Sequence, residues 1–278
     1  MKTIDAGVLQ GYNAGIERGR LHTDLGLIEF QRTKELLAEC LPQPPAVVYD
    51  IGGGYGEYAW HLAAQGYDVY LYDIAQTNIT MAAELAQAYP GVRLRGLAVA
   101  DARSIDRADG SADAILLMGP LYHIVAREER LAALRECFRL LKPGGKLFAA
   151  AITRYATTLW AMTTYGTRNN FLDEPAFSAM LYRELSDGQH IRPEDSAYKG
   201  MGRSFFHLPG ELRDEIEAAG FKQADVRGVV GCGWLAPNLD ALWKDAERRE
   251  RIMGIVRRLE KDESLMGLST HLLAIAEK

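Results

Sequence analysis

Val47-Val48-Tyr49-Asp50-Ile51-Gly52-Gly53-Gly54-Tyr55-Gly56 joins a short, nearly all-apolar run to a string of glycines. The apolar run, beginning at Ala46, reads as a strand buried on both faces, which is the habit of parallel sheets. The glycines then need backbone angles and a closeness of approach that side chains forbid. With a helix N-terminus following, their free N–H groups form a cradle for an anion or a polar ligand. A strand, glycine turn and helix in that order commit the chain to an α/β fold with a ligand at the strand's carboxyl end.

The rest of the chain supports that class. Gly56 to Gly66 reads as a helix, Asp68 to Tyr72 as a strand, and Gln76 to Tyr89 as a helix closed by Pro90-Gly91. Arg93 to Val99 and Ala112 to Met118 are strands, Glu128 to Leu141 is a helix stopped by Pro143-Gly144-Gly145, and Lys146 to Ile152 is a fifth strand. Pro209 to Gly220 is a helix, Phe221 to Val230 a strand, Asn238 to Lys261 one long helix, and Thr270 to Ala276 a final strand. Alternation of this kind means a parallel sheet covered on both sides. Ahead of it, residues 1–40 are helical in two pieces, with Leu27, Phe30, Leu37 and Leu41 on one face; Pro42 and Pro44-Pro45 then break the helix. Residues 153–210 lose the rhythm yet hold nine aromatics from Tyr155 to Phe206, so they are expected to pack as a helical lid. The expected organisation is a helical N-terminal cover over 1–45, a core over 46–152 and 211–278, and a lid over 153–210.

Composition narrows the function. Thirty-two basic against thirty-seven acidic residues give a net charge of -5, which argues against nucleic acid, a partner that selects a basic face. The three cysteines, Cys40, Cys137 and Cys232, are scattered and odd in number, as in a reduced cytoplasmic protein. The N-terminus lacks a secretory pattern, and no apolar run approaches the ~20 residues that span a bilayer. The six histidines show no ligand spacing, so no metal is expected. A soluble cytoplasmic monomer or homodimer acting on a small molecule, with no nucleic-acid or membrane partner, is the expectation.

Spacing discriminates among ligands. A dinucleotide fingerprint wants glycine at the first, third and sixth positions of the loop, and the sixth counted from Gly52 is Glu57. The glycines fall instead at Gly52, Gly54 and Gly56, with Asp50 ahead. This Asp-x-Gly-x-Gly-x-Gly string resembles motif I of the class I S-adenosylmethionine-dependent methyltransferases. The resemblance covers residues 46–152 with specific motifs and extends loosely to Ser269-Thr270-His271-Leu272-Leu273. It implies a doubly wound, mostly parallel seven-stranded sheet, Rossmann-like, with S-adenosylmethionine as cofactor. It also implies that Asp73, followed by Ile74, takes two ribose hydroxyls from an exposed strand end. Ala100-Asp101-Ala102 is similar to the segment that contacts adenine, and Met118-Gly119-Pro120-Leu121-Tyr122-His123 to the place where cofactor and substrate contacts gather. An N-terminal helix often closes over the cofactor in small-molecule members. Tyr12, Glu17 and Arg20 precede the helix here, and Arg20 is the candidate partner of the methionine carboxylate.

Methyl transfer needs proximity, alignment and, for some nucleophiles, removal of a proton. His123, just past the fourth strand, is the candidate general base, on the premise of an imidazole pKa near 6.5. Tyr122 is a candidate for contact with substrate or sulfonium. In the lid, Tyr155, Trp160, Tyr165, Phe205, Phe206 and His207 are candidate walls, and Arg154 and Arg203 candidate holders of an acidic group. The leading expectation is methyl transfer to a small-molecule O, N or C. The alternatives are intramolecular cyclisation of S-adenosylmethionine with loss of methylthioadenosine, a non-catalytic cofactor-binding protein, and a nicotinamide oxidoreductase, which Glu57 disfavours.

Overall fold

The computed structural model describes residues 19–278. Seven strands form one sheet in the order β3-β2-β1-β4-β5-β9-β8: β1 (Val47–Ile51), β2 (Asp68–Asp73), β3 (Gly96–Val99), β4 (Ala112–Leu117), β5 (Leu141–Ile152), β8 (Lys222–Gly228) and β9 (His271–Glu277). The first five are parallel, and β9 runs antiparallel between β5 and β8. β2 and β3 lie on one side of β1 and β4 on the other, so the strand order reverses between β1 and β4. A crevice for a ligand opens at such a point.

Alternate residues of the central strands feed two cores. Tyr49, Ile51, Ile115, Leu117 and Ala149 meet Leu131, Leu134 and Cys137 of helix Arg127–Leu140 and Leu212 and Ile216 of helix Pro209–Ala218. Val48, Ala114, Leu116 and Phe148 meet Ile28 and Leu36 of helix Leu25–Cys40, Leu62 of Glu57–Ala64 and Val256 of Ala246–Leu259. Both faces are therefore dry, which is why these strands read as continuous apolar runs. Arg32 is buried and donates to Glu260 at 2.6 and 3.1 Å, tying the first helix to the last.

Three expectations are corrected. The long C-terminal helix is two, Leu239–Trp243 and Ala246–Leu259, because Asp245 between them caps the second by accepting from the amides of Glu247 and Arg248. β5 starts at Leu141 and so includes the proline-glycine turn. Residues 153–210 are not purely helical: helices Ala156–Thr164 and Pro175–Asp187 are followed by an antiparallel hairpin of β6 (Gln189–Ile191) and β7 (Arg203–Phe205). Pro175 opens the second helix and Gly188 closes it at φ +77, where a Cβ would lie 2.5 Å from the Phe206 carbonyl oxygen. That proline-glycine bracket was present in the sequence. Among the described residues no helix is long and apolar enough to cross a membrane.

Candidate functional site

A cavity of about 1020 Å³ opens at the carboxyl edge of the sheet, on the crevice between β1 and β4. One end is built from Gly52, Asp73, Ile74, Asp101 and Ala102, and the other from Arg127, Arg130, Gln189, Arg203, Phe205 and Glu215. Pro120 and His123 lie on the wall as well.

The glycine-loop end is held by backbone. The amides of Gly52 and Gly53 donate to the Tyr72 carbonyl at 2.7 and 3.3 Å, stitching the loop to the end of β2. Gly52 has φ +72, and a Cβ there would lie 2.5 Å from the Pro120 ring, so only glycine lets the β1 and β4 ends close together. Glu57, in the place of the missing third glycine, instead binds Tyr55 (3.1 Å) and His22 (2.7 Å), which fixes the loop to the short 3-10 turn Arg20–His22.

Asp73 is not at an exposed strand end. It is 6% exposed, and its carboxylate accepts from the Gly54 and Ala75 amides at 2.9 Å each and from Asn78 Nδ2 at 3.0 Å. These donors fix the orientation of the carboxylate at the end of β2. Asp50, fully buried below Gly53, has no well-formed hydrogen bond at either oxygen among the described residues, the Ala59 amide giving it only weak support. Burial, and then the charge of Asp73, push its carboxyl up to about 7. Asp101 lies on the cavity wall with its carboxylate gripped by Arg103 at 2.5 to 3.1 Å, and Arg103 in turn reaches Glu129 at 2.6 Å.

The candidate catalytic pair separates. His123 reaches the cavity but is densely surrounded by protein; burial and then the Arg20 guanidinium drive its pKa down to about 3. The premise of a pKa near 6.5 is corrected: the imidazole is neutral and a poor proton acceptor. Tyr122 turns inward, donating to the Met118 carbonyl at 3.0 Å and packing with Ile152 and Phe206, so neither it nor Met118 lines the cavity. Gly54 and Gly56 shape the loop, both at positive φ, without lining the cavity. Arg20 is bound by Glu29 through two bonds of 2.7 and 3.1 Å and is not on the wall, whereas Tyr12 and Glu17 lie outside the described residues.

Residues 153–210 contribute less than their aromatic content suggested. Arg154 is buried and committed to Glu211 at 2.7 Å. Tyr155 lies over Gly267, Trp160 joins Phe171, Phe177 and Tyr198 in a separate small core, and exposed Tyr165 donates to Asp173. Phe206 stacks on His190 at 5.0 Å, and His207 is buried beside Glu215. Of the candidates, Arg203 and Phe205 are on the wall.

The hub of the far end was missed from sequence. Buried Arg130 donates to Glu215 at 2.8 and 2.6 Å and to the Ile124 and Val125 carbonyls at 3.2 and 2.6 Å, and its guanidinium lies 3.7 Å from the Phe205 ring centre. Glu215 is held down to about 2: burial opposes its charge, but the bonds from Arg130 and His207 outweigh it. A signal existed. Arg130 interrupts the apolar stripe of Leu131 and Leu134, and Glu215 that of Leu212 and Ile216, so two opposite charges sit where only a buried pair is tolerated.

Residues 48–145 match the family described as methyltransferase domain. The chain is 29% identical over 202 residues to a ubiquinone biosynthesis O-methyltransferase of Xanthomonas axonopodis pv. citri, covering 72% of each. It is 26% identical over 202 residues to a ubiquinone/menaquinone biosynthesis C-methyltransferase of Caulobacter vibrioides, covering 68% of this chain and 73% of that one. Its fold is similar to that of an S-adenosylmethionine-dependent methyltransferase from Methanosarcina mazei, with a TM-score of 0.57, 19% identity, and coverage of 87% of this chain and 96% of that one.

Proposed function

We propose that the chain, which carries a methyltransferase domain over residues 48–145, is a class I S-adenosylmethionine-dependent methyltransferase that methylates a small-molecule acceptor on O, N or C. The observation that carries the reading is the single cavity of about 1020 Å³ with two chemically different ends. That volume is the top of the range for one drug-sized ligand, so it has room for a cofactor and a small acceptor together.

The residues at the glycine-loop end fit the cofactor. When bound, the cofactor supplies a methyl group activated on a sulfonium. Asp73 is assigned the ribose, Ile74 and Ala102 the two sides of the adenine, and Asp101, already oriented by Arg103, the edge of that ring. The carboxylate of Asp73 on the wall makes this end electronegative, which suits a cationic ligand. The wall around Ile124, Val125 and Phe205 excludes water from the acceptor. His123, whose pKa burial and Arg20 depress, is assigned hydrogen bonding and placement of the acceptor atom.

Two relatives whose names specify transfer to oxygen and to carbon leave the acceptor atom open within this reading. Incubation with S-adenosylmethionine and a metabolite extract is expected to yield S-adenosylhomocysteine and a product heavier by one methyl group, read by mass spectrometry. Methylthioadenosine formed from cofactor alone, without S-adenosylhomocysteine, would replace this reading with cyclisation.

A further inference from the structure

The arginines around the cavity are not equivalent. Arg103 is neutralised by Asp101 and Glu129, and Arg130 by Glu215. Arg127 stands 3.5 Å from Glu128 and 3.8 Å from Glu215. Arg203 lies on the same wall with no carboxylate partner among the described residues. At this end Arg127 is shared between Glu128 and Glu215, Arg130 pairs with Glu215 and Arg154 with Glu211, which leaves Arg203 as the wall arginine without an ion pair among the described residues.

The hairpin explains how Arg203 is presented. In the β6–β7 pair, Gln189 lies opposite Phe205, His190 opposite Ser204 and Ile191 opposite Arg203. Side chains alternate across a strand, so Gln189, Arg203 and Phe205 share the cavity face. His190 and Ser204 fill the other face, buried, with His190 fixed between Glu184 Oε1 at 2.5 Å and the Met201 carbonyl at 2.8 Å. The hairpin is thus pinned from behind while a guanidinium, a carboxamide and an aromatic ring look into the cavity.

We propose that the methyl acceptor carries a carboxylate, which Arg203 binds, with Gln189 beside it and Phe205 against the acceptor's apolar body. This rests on the far end being the acceptor site. A guanidinium offers a planar fork of donors that a carboxylate matches with two parallel bonds. Covering that fork with a neutral ligand would strand its donors, and this asymmetry gives selectivity against uncharged analogues.

Calorimetry on the protein loaded with S-adenosylhomocysteine, titrated with benzoate, benzamide and benzylamine, tests this by holding the ring constant and changing the charge. Benzoate is expected to bind about tenfold or more tightly than benzamide, and benzylamine weakest. Arg203→Gln should bring benzoate and benzamide within about twofold of each other, and Arg203→Lys should keep part of the preference. Because Arg203 is exposed, the melting temperature and the affinity for S-adenosylhomocysteine should not change in either variant. Equal binding of benzoate and benzamide, no binding of benzoate, or a preference that survives Arg203→Gln would overturn the proposal. Failure of the wild-type protein to bind S-adenosylhomocysteine would instead remove the methyl-transfer reading beneath it.

Discussion

The two ends of the cavity are made by different means. At the glycine loop, short contiguous segments do the work, and the key bonds are from backbone amides to a carbonyl or to Asp73. At the far end, long side chains join distant segments: Arg130 meets Glu215 across 85 residues, and Arg154 meets Glu211 across 57. The carboxylates show the contrast most plainly. Asp50 is buried with no cationic partner among the described residues and becomes a weaker acid, at about 7, whereas Glu215 is buried with a guanidinium and becomes a stronger one, at about 2. Burial alone does not set the charge of a wall; the partners do.

Breaking the far end should cost the most. Glu215→Ala leaves Arg130 buried without its partner, so unfolding in denaturant should show a loss of about 3–5 kcal/mol. Affinity for S-adenosylhomocysteine, measured on the remaining folded protein, should stay within about twofold. A loss of cofactor binding equal to that of stability would mean the ends are one unit and would dissolve the comparison.

The next effect has the opposite sign. A carboxyl whose pKa is raised on folding binds more protons in the native state, so its contribution to stability falls between about pH 4 and pH 7 and is constant above. Asp50→Asn removes this loss, and the variant should gain on wild type over that window, by up to ~4 kcal/mol at pH 7 and above. Glu215 behaves conversely: its contribution is present above its unfolded pKa and is lost as pH falls toward about 2. Thermal unfolding of both proteins across pH 4–8 checks the sign; a gap that narrows with rising pH contradicts the assignment for Asp50.

Asp73→Asn should act on both readouts. Asn keeps the shape but not the charge, so cofactor affinity should fall by about 1.5–3 kcal/mol, roughly ten- to a hundredfold, and the turn to Ala75 and Asn78 should loosen with it. Unchanged calorimetric affinity in a folded variant would take Asp73 out of the cofactor site. Smallest of all is Tyr165→Phe, which removes one exposed hydrogen bond far from either end; melting temperature and cofactor affinity should both be unchanged.

The same contrast explains what the sequence disclosed. The alternation of strands and helices and the glycine loop are local patterns, each written in a few consecutive residues, and they could be read; Asp73 and Asp101, singled out by their place after a strand, lie on the cavity wall. The far end was harder: Arg130 and Glu215 each interrupt an apolar stripe, but nothing near either one says that its partner lies 85 residues away. Aromatic content was a poor guide there, because a ring in a small core and a ring on a cavity wall have the same composition. Trp160 and Phe177 went to a core of their own, and of the neighbours Phe205 and Phe206 only the first faces the cavity. His123 lies on the wall, but the burial and the Arg20 charge that lower its pKa lie beyond what its position in the chain reveals.

The β6–β7 hairpin has a consequence for how such a protein can diversify. Its two faces are separate mutational territories: positions 189, 203 and 205 can change what the cavity accepts, while positions 190 and 204 keep the frame. Point substitutions on the first set explore new ligands at little risk to folding. Deletion of a single residue from the connection would do the reverse, because a one-step slip of β7 carries Ser204 to the cavity and drives Arg203 inward. Natural variants should therefore differ at alternate positions of this hairpin and conserve the length between its strands.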